Sequence, residues 1–349
     1  MAVNCVNELR ERRTLSDEGL LELLESEDES VAEALFRNAR EVSRARFGRR
    51  IWLRALIEWS NVCRNDCLYC GIRRSNPAVQ RYSLSQEDIL HCCQQAYSLG
   101  LRTFVLQGGE NPPAALLLAE TVAEIRAAWP DCAITLSLGE LPRETYALLR
   151  HSGADRYLLR HETANPAHYA RLHPSGMTLE SRLACLRSLR DLGYQTGMGM
   201  MVGSPYQTMQ DLLADLRLIE AFRPEMIGIG PFIPQHDTPF RDCPAGNAGL
   251  TLRLLAILRL MHPQALIPST TALSTLHPGG RMAGILAGAN VIMPDFTPRD
   301  QREAYALYEG KTAAWTETAA NLQDLYQELS ACGYSVASSR GDYDESIHL

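Results

Sequence analysis

From about Trp52 onward the chain alternates between short apolar runs and segments of helical periodicity. The runs are Ala55–Ser60, Thr103–Gly108, Ala133–Gly139, Arg156–Thr163, Gln195–Gly203, Met226–Pro234, Ala265–Ala272 and Asn290–Phe296. They are rich in β-branched or large apolar residues and lie between turn signals, the pattern of parallel strands buried on both faces. The intervening helices have readable ends. Ser85 with Asp88, and Thr208 with Asp211, resemble capping boxes. Pro142 suits a first helical turn, and Gly100, Gly153, Gly193 and Gly288 stand where helices should stop. Eight alternations predict an α/β fold, a TIM-type (β/α)₈ barrel rather than an open doubly wound sheet. Residues 1–50 read as a helical extension packed outside the barrel, 51–310 as the barrel, and 311–349 as a last helix, about Thr316 to Cys332, followed by a polar tail expected to fray.

A formal charge of −7 over 349 residues gives no basic face for nucleic acid. No apolar stretch follows positive charge near the start, and no run is long enough to span a membrane, so a cytoplasmic protein is expected. Ten cysteines without an export signal point to reduced thiols used for metal or catalysis. Cys5, Cys92, Cys93, Cys132, Cys185, Cys243 and Cys332 fall into no ligand-like cluster and read as packing residues. Lys311 is the only lysine, which reads as genome composition.

The remaining three cysteines change the picture. Directly after the first run stands Asn61-Val-Cys-Arg-Asn-Asp-Cys-Leu-Tyr-Cys-Gly71, so Cys63, Cys67 and Cys70 are spaced C-x3-C-x2-C. Three thiolates suit an iron–sulfur cubane and leave one iron open, as a catalytic metal requires, whereas a structural zinc site would want a fourth ligand nearby. In the third run Thr135, Ser137 and Gly139 share one face, a polar lining more typical of a ligand site than of a core. In the fourth, Arg160 and Glu162 are two apart on one face, a costly pair unless a ligand or each other satisfies it. Met198, Met200 and Met201 read as core filling. Thr270 and Thr271 could hold an anionic group.

The cysteine loop, placed after the first strand of a barrel, resembles that of the radical S-adenosylmethionine (SAM) superfamily. The resemblance implies a [4Fe-4S] cluster whose open iron chelates SAM. Tyr69 matches the aromatic position before the last cysteine, and Gln107-Gly-Gly-Glu110 the glycine-rich segment at the SAM amino group, with Gly108 and Gly109 as contacts. Thr135, Ser137, Arg160, Glu162, Arg182 and Ile233 complete the implied SAM set, and Gln107, Thr270 and Thr271 face the substrate. Residues 61–74, 157–166, 228–234 and 290–294 narrow the likeness to the [FeFe]-hydrogenase maturase family HydE. That family implies a 5′-deoxyadenosyl radical acting on a small organometallic iron species from HydG, with HydF downstream and ferredoxin or flavodoxin as reductant. No cysteine lies in 311–331, so a second cluster is not expected. The alternatives are a methylornithine synthase-like mutase acting on lysine, biotin synthase, and a non-enzymatic iron–sulfur electron carrier.

Overall fold

The computed structural model describes residues 2–311 and 319–344. Three helices come first, α1 (Ala2–Arg12), α2 (Asp17–Glu25) and α3 (Glu29–Phe47), and pack on the outside against the later helix Ala248–Met261. Ser16 and Asp28 cap α2 and α3 by accepting from Gly19 N and Ser30 N. The strands follow in chain order: β1 (Arg50–Leu53), β2 (Ala55–Ser60), β3 (Thr103–Gly108), β4 (Ala133–Ser137), β5 (Arg156–Leu158), β6 (Gln195–Met198), β7 (Met201–Val202), β8 (Met226–Ile227), β9 (Gly230–Pro231), β10 (Val291–Ile292) and β11 (Ser335–Val336).

Strands β2, β3, β4, β5, β6 and β8 pair in that order, all parallel. Parallel bridges Met226–Leu266, Pro268–Val291 and Leu56–Asp295 carry the ladder onward and back to β2. The ring therefore closes, and eight strand positions surround one core, as the alternation predicts. The two expected capping boxes, Ser85 with Asp88 and Thr208 with Asp211, are formed. Toward the carboxyl ends the strands leave the regular ladder. A Cβ on Gly199 would lie 1.9 Å from the carbonyl oxygen of Gly228, so glycine lets two strands touch where pairing passes from β6–β8 to β7–β9.

The tail departs from the sequence expectation of fraying. Ser335 and Val336 pair with Arg50 and Ile51, and the segment beyond plugs the amino-terminal end of the barrel. There Arg156, wholly buried, donates from Nη2 to Arg340 O and Gly341 O (both 2.9 Å) and to Asp342 Oδ1 (2.6 Å). A guanidinium sealed in a barrel floor needs carbonyl and carboxylate acceptors, and this polar tail supplies them. Residues 316–318 of the expected last helix lie outside the described residues, which place it at Ala319–Ala331. No helix among the described residues is long and apolar enough to cross a membrane.

Candidate functional site

The cysteine loop leaves β2 at the carboxyl end of the barrel and is held by its own polar side chains. Asn61 Nδ2 donates to Gln80 O and Ala304 O, both at 2.8 Å. Arg81 donates to the carbonyls of Asn61, Ile72 and Arg73 at 2.5–2.8 Å. Asp66 accepts from Ser75 N, Ser75 Oγ and Arg73 Nε. Partial burial raises its carboxyl, but these donors outweigh it and hold it at about 2. The loop presses on the next strand end: a Cβ on Gly109 would stand 2.5 Å from Val62 O and 2.9 Å from Cys63 Cβ, so only glycine fits.

Cys63 and Cys70 open into a cavity of about 330 Å³ at the carboxyl ends of the strands. Tyr69, Gln107, Gly108, Gly109, Arg160, Glu162, Ile233, Thr270 and Thr271 line the same space. A larger hollow of about 460 Å³ lies elsewhere, among Arg13, Pro224, His262 and Tyr343, and carries no thiol. Four sequence-predicted residues do not line the cavity. Cys67 is absent from the lining, and burial, with Cys70 and Cys63 adding, pushes its thiol well up. Thr135 and Ser137 lie on β4, with the Thr135 hydroxyl buried and unpartnered. Arg182 is buried beside Glu140, Nε to Oε1 2.9 Å. Among the described residues no three His, Cys, Asp or Glu side chains converge tightly enough for a single ion.

The two charges just beyond β5, Arg160 and Glu162, have found each other. Arg160 Nη2 stands 2.9 Å from Glu162 Oε2, too poorly aligned for a hydrogen bond, and donates instead to Met200 O at 2.8 Å. Arg160 Nε is buried without a partner. Glu162 holds φ at +66°, a left-handed conformation that a non-glycine residue adopts at a cost and that clusters at functional sites. Flanking bonds fix it: Glu162 N donates to Gly199 O and Met201 N to Glu162 O, both 3.1 Å. Behind it, wholly buried His161 bonds Asp215 at 3.0 Å, and Asp215 also accepts from Ala164 N. The other acidic strand ends are committed. Glu110 accepts from Arg64 Nε (2.8 Å) and Glu140 N (2.7 Å), while Glu140 takes Arg182 and Ser181. Tyr69 Oη lies 3.2 Å from Nε2 of His173, whose imidazole burial pushes down to about 4.

Met198 and Met200 are core residues, as read from sequence, but Met201 reaches the cavity. Sequence reasoning missed Glu58, Tyr305, Tyr308 and Lys311, which close its inner wall. A signal was present: Glu58 is the one charged residue in a fully buried strand, and Lys311 is the only lysine.

Residues 57–219 match the family model of the radical SAM superfamily. The chain is 46% identical to the [FeFe] hydrogenase maturase subunit HydE of Thermotoga maritima, over 93% of this chain and 92% of that protein. It is 28% identical to 3-methylornithine synthase of Methanosarcina acetivorans over 84% and 83% of the two chains. The crystal structure of methylornithine synthase (PylB) superposes with a TM-score of 0.80 at 25% identity, covering 95% of this chain and 97% of that one. A structure of HydG superposes equally well, at 22% identity and over 76% of its length, which speaks for the fold alone. The chain belongs to the radical SAM superfamily and, within it, to the [FeFe]-hydrogenase maturase family HydE.

Proposed function

We propose that Cys63, Cys67 and Cys70 hold the [4Fe-4S] cluster that this family implies, and that SAM and then a small iron complex occupy the cavity in front of it. The protein is a radical SAM enzyme with a role in [FeFe]-hydrogenase maturation. The observation that carries the finer reading is that two of the thiols and the Arg160–Glu162 pair face one cavity. The donor set fits: three soft thiols on a loop tied down by Asn61 and Arg81, and no fourth ligand needed if SAM takes the last iron. When bound, the cluster supplies the electron that cleaves SAM reductively.

The chain's own residues do the rest. Gly109 keeps the loop against β3, and Glu162, preset at positive φ, offers its carboxylate to SAM with Arg160 beside it. Arg182 faces the Cys67 end of the site from its pair with Glu140. Thr270 Oγ1, buried and unpartnered, and Thr271 and Gln107 remain for the substrate. That substrate would come from HydG and its product pass to HydF, with ferredoxin or flavodoxin as reductant, in the cytoplasm. Lysine suits the cavity poorly, because Glu110 and Glu140 already have arginine partners.

Anaerobic reconstitution with SAM and dithionite tests both halves. The chain should take up about four irons and form 5′-deoxyadenosine, and Cys63→Ala should lose both, while Cys92→Ala keeps the cluster spectrum. Cys63→Ala cleaving SAM at the wild-type rate would overturn the cluster assignment. The HydG product, and not lysine, should stimulate cleavage; conversion of lysine to methylornithine would overturn the substrate.

A further inference from the structure

Glu162 is the centre of a three-residue turn. Thr163 N donates to His161 O at 2.9 Å, and with Glu162 at φ +66° this closes a γ-turn of the left-handed kind, which is rare and strained. The strand-side bonds at Glu162 N and Glu162 O hold one side of that turn. The helix Met209–Phe222 holds the other. Asp215 Oδ1 pairs with His161 Nε2 at 3.0 Å and accepts from Ala164 N at 2.6 Å, so one carboxylate oxygen grips the chain on both sides of Glu162. Both side chains of the His161–Asp215 pair are wholly buried. One helical turn earlier on the same face, Asp211 Oδ1 accepts from Asn165 Nδ2 at 2.5 Å. Thr163 is anchored as well: its hydroxyl lies 3.1 Å from Nδ1 of His168, whose Nε2 lies 3.0 Å from Pro205 O. Apart from Glu162, these residues stay out of the cavity lining.

We infer that His161 and Asp215 are positioning residues for SAM that act through Glu162, a role that rests on Glu162 binding SAM as proposed above. Sealing an aspartate and a histidine under a strand end costs desolvation, and apolar side chains could pack the same helix there, so stability alone does not account for the pair. What the pair secures is the wound turn, which presents the Glu162 carboxylate to the cavity before any ligand arrives. Without it Glu162 relaxes toward negative φ, and SAM must then restore the strained conformation as it binds, which lowers its affinity. Asp215 Oδ2 has no partner, so an amide in its place keeps both bonds through the remaining oxygen.

Calorimetric SAM titration of the anaerobically reconstituted chain, at matched iron content and cluster absorbance, tests this as a double-mutant cycle without turnover. Asp215→Ala should lower SAM affinity about tenfold, the order of one released strained turn. His161→Leu, which fills the space and removes the bond, should do the same. Asp215→Asn should restore affinity to within about twofold of wild type. Added to Glu162→Ala, Asp215→Ala should cost no more than about a further twofold, because the carboxylate through which it acts is already gone. A pair that only stabilised the fold would lower the thermal midpoint and leave the two losses additive. Additive losses, wild-type affinity in both Asp215→Ala and His161→Leu, a tenfold loss in Asp215→Asn, or loss of the cluster in both of the first two variants would each overturn the inference alone. Wild-type affinity in Glu162→Ala would instead overturn the proposed role of Glu162, and the positioning role with it.

Discussion

Glu162 shows how much a single residue carries at this site. Its positive φ costs on the order of 1–3 kcal/mol, which the surrounding ladder must offset. A glutamate spending that on a cavity wall is pre-positioned for a ligand. Glu162→Gln keeps shape and removes charge, so SAM affinity should fall roughly ten- to a hundred-fold, about 1.5–3 kcal/mol, with cluster and iron content unchanged. Calorimetric SAM titration checks it; wild-type affinity would remove Glu162 from the site. Arg182→Ala should likewise weaken SAM while also releasing Glu140. Their two-residue spacing in an apolar run singled out Glu162 and Arg160, although β5 stops at Leu158 and both lie beyond it. Spacing left open whether a ligand or the other residue satisfies each charge, and the structure pairs them at 2.9 Å, since a side chain's partner depends on its rotamer and on what stands opposite. Glu58 and Lys311 were hidden for another reason. They lie 253 residues apart, and only barrel closure brings them together.

At the scale of elements, the lower halves of the strands were legible and the upper halves were not. Runs buried on both faces are continuously apolar, which a pattern search detects. Above Met198 and Ile227 the backbone turns toward the ligand space, and glycines and strand ends replace the ladder. The expected run Gln195–Gly203 thus becomes two strands, β6 and β7, broken at Gly199. The tail misled for the opposite reason. A polar segment looks solvated, yet this one is polar because Arg156 lies beneath it. Asp342 is about one third exposed, so its loss should cost less than the 3–5 kcal/mol of a sealed pair, about 2 kcal/mol. Asp342→Asn should lower the urea midpoint accordingly and leave SAM affinity intact. An unchanged midpoint would mean that the plug contributes no stability.

Over the whole molecule, two kinds of buried group set opposite pH limits. His262, at the end of the helix Ala248–Met261, is pushed by burial from 6.5 to about 4. The unfolded chain takes a proton there that the folded chain refuses, so stability present above pH 6.5 is lost as pH falls toward 4. His173 behaves alike. Glu58 has the reverse sign: raised from 4.5 to about 8, it holds a proton when folded, so stability present below 4.5 is lost as pH rises through 8. One such group gives a slope of about 1.4 kcal/mol per pH unit inside its window. Between 4.5 and 6.5 the two histidines outnumber the one carboxyl; above 6.5 only the carboxyl acts. Among these three groups, stability should therefore peak near pH 6.5. Urea midpoints across pH 4.5–8 should show Glu58→Gln holding its stability to pH 8 while the wild type declines, and His262→Gln flattening the acid side. If Glu58→Gln declined as the wild type does, the carboxyl would already be ionised at neutral pH. The cavity wall would then present Lys311 as half of a closed ion pair.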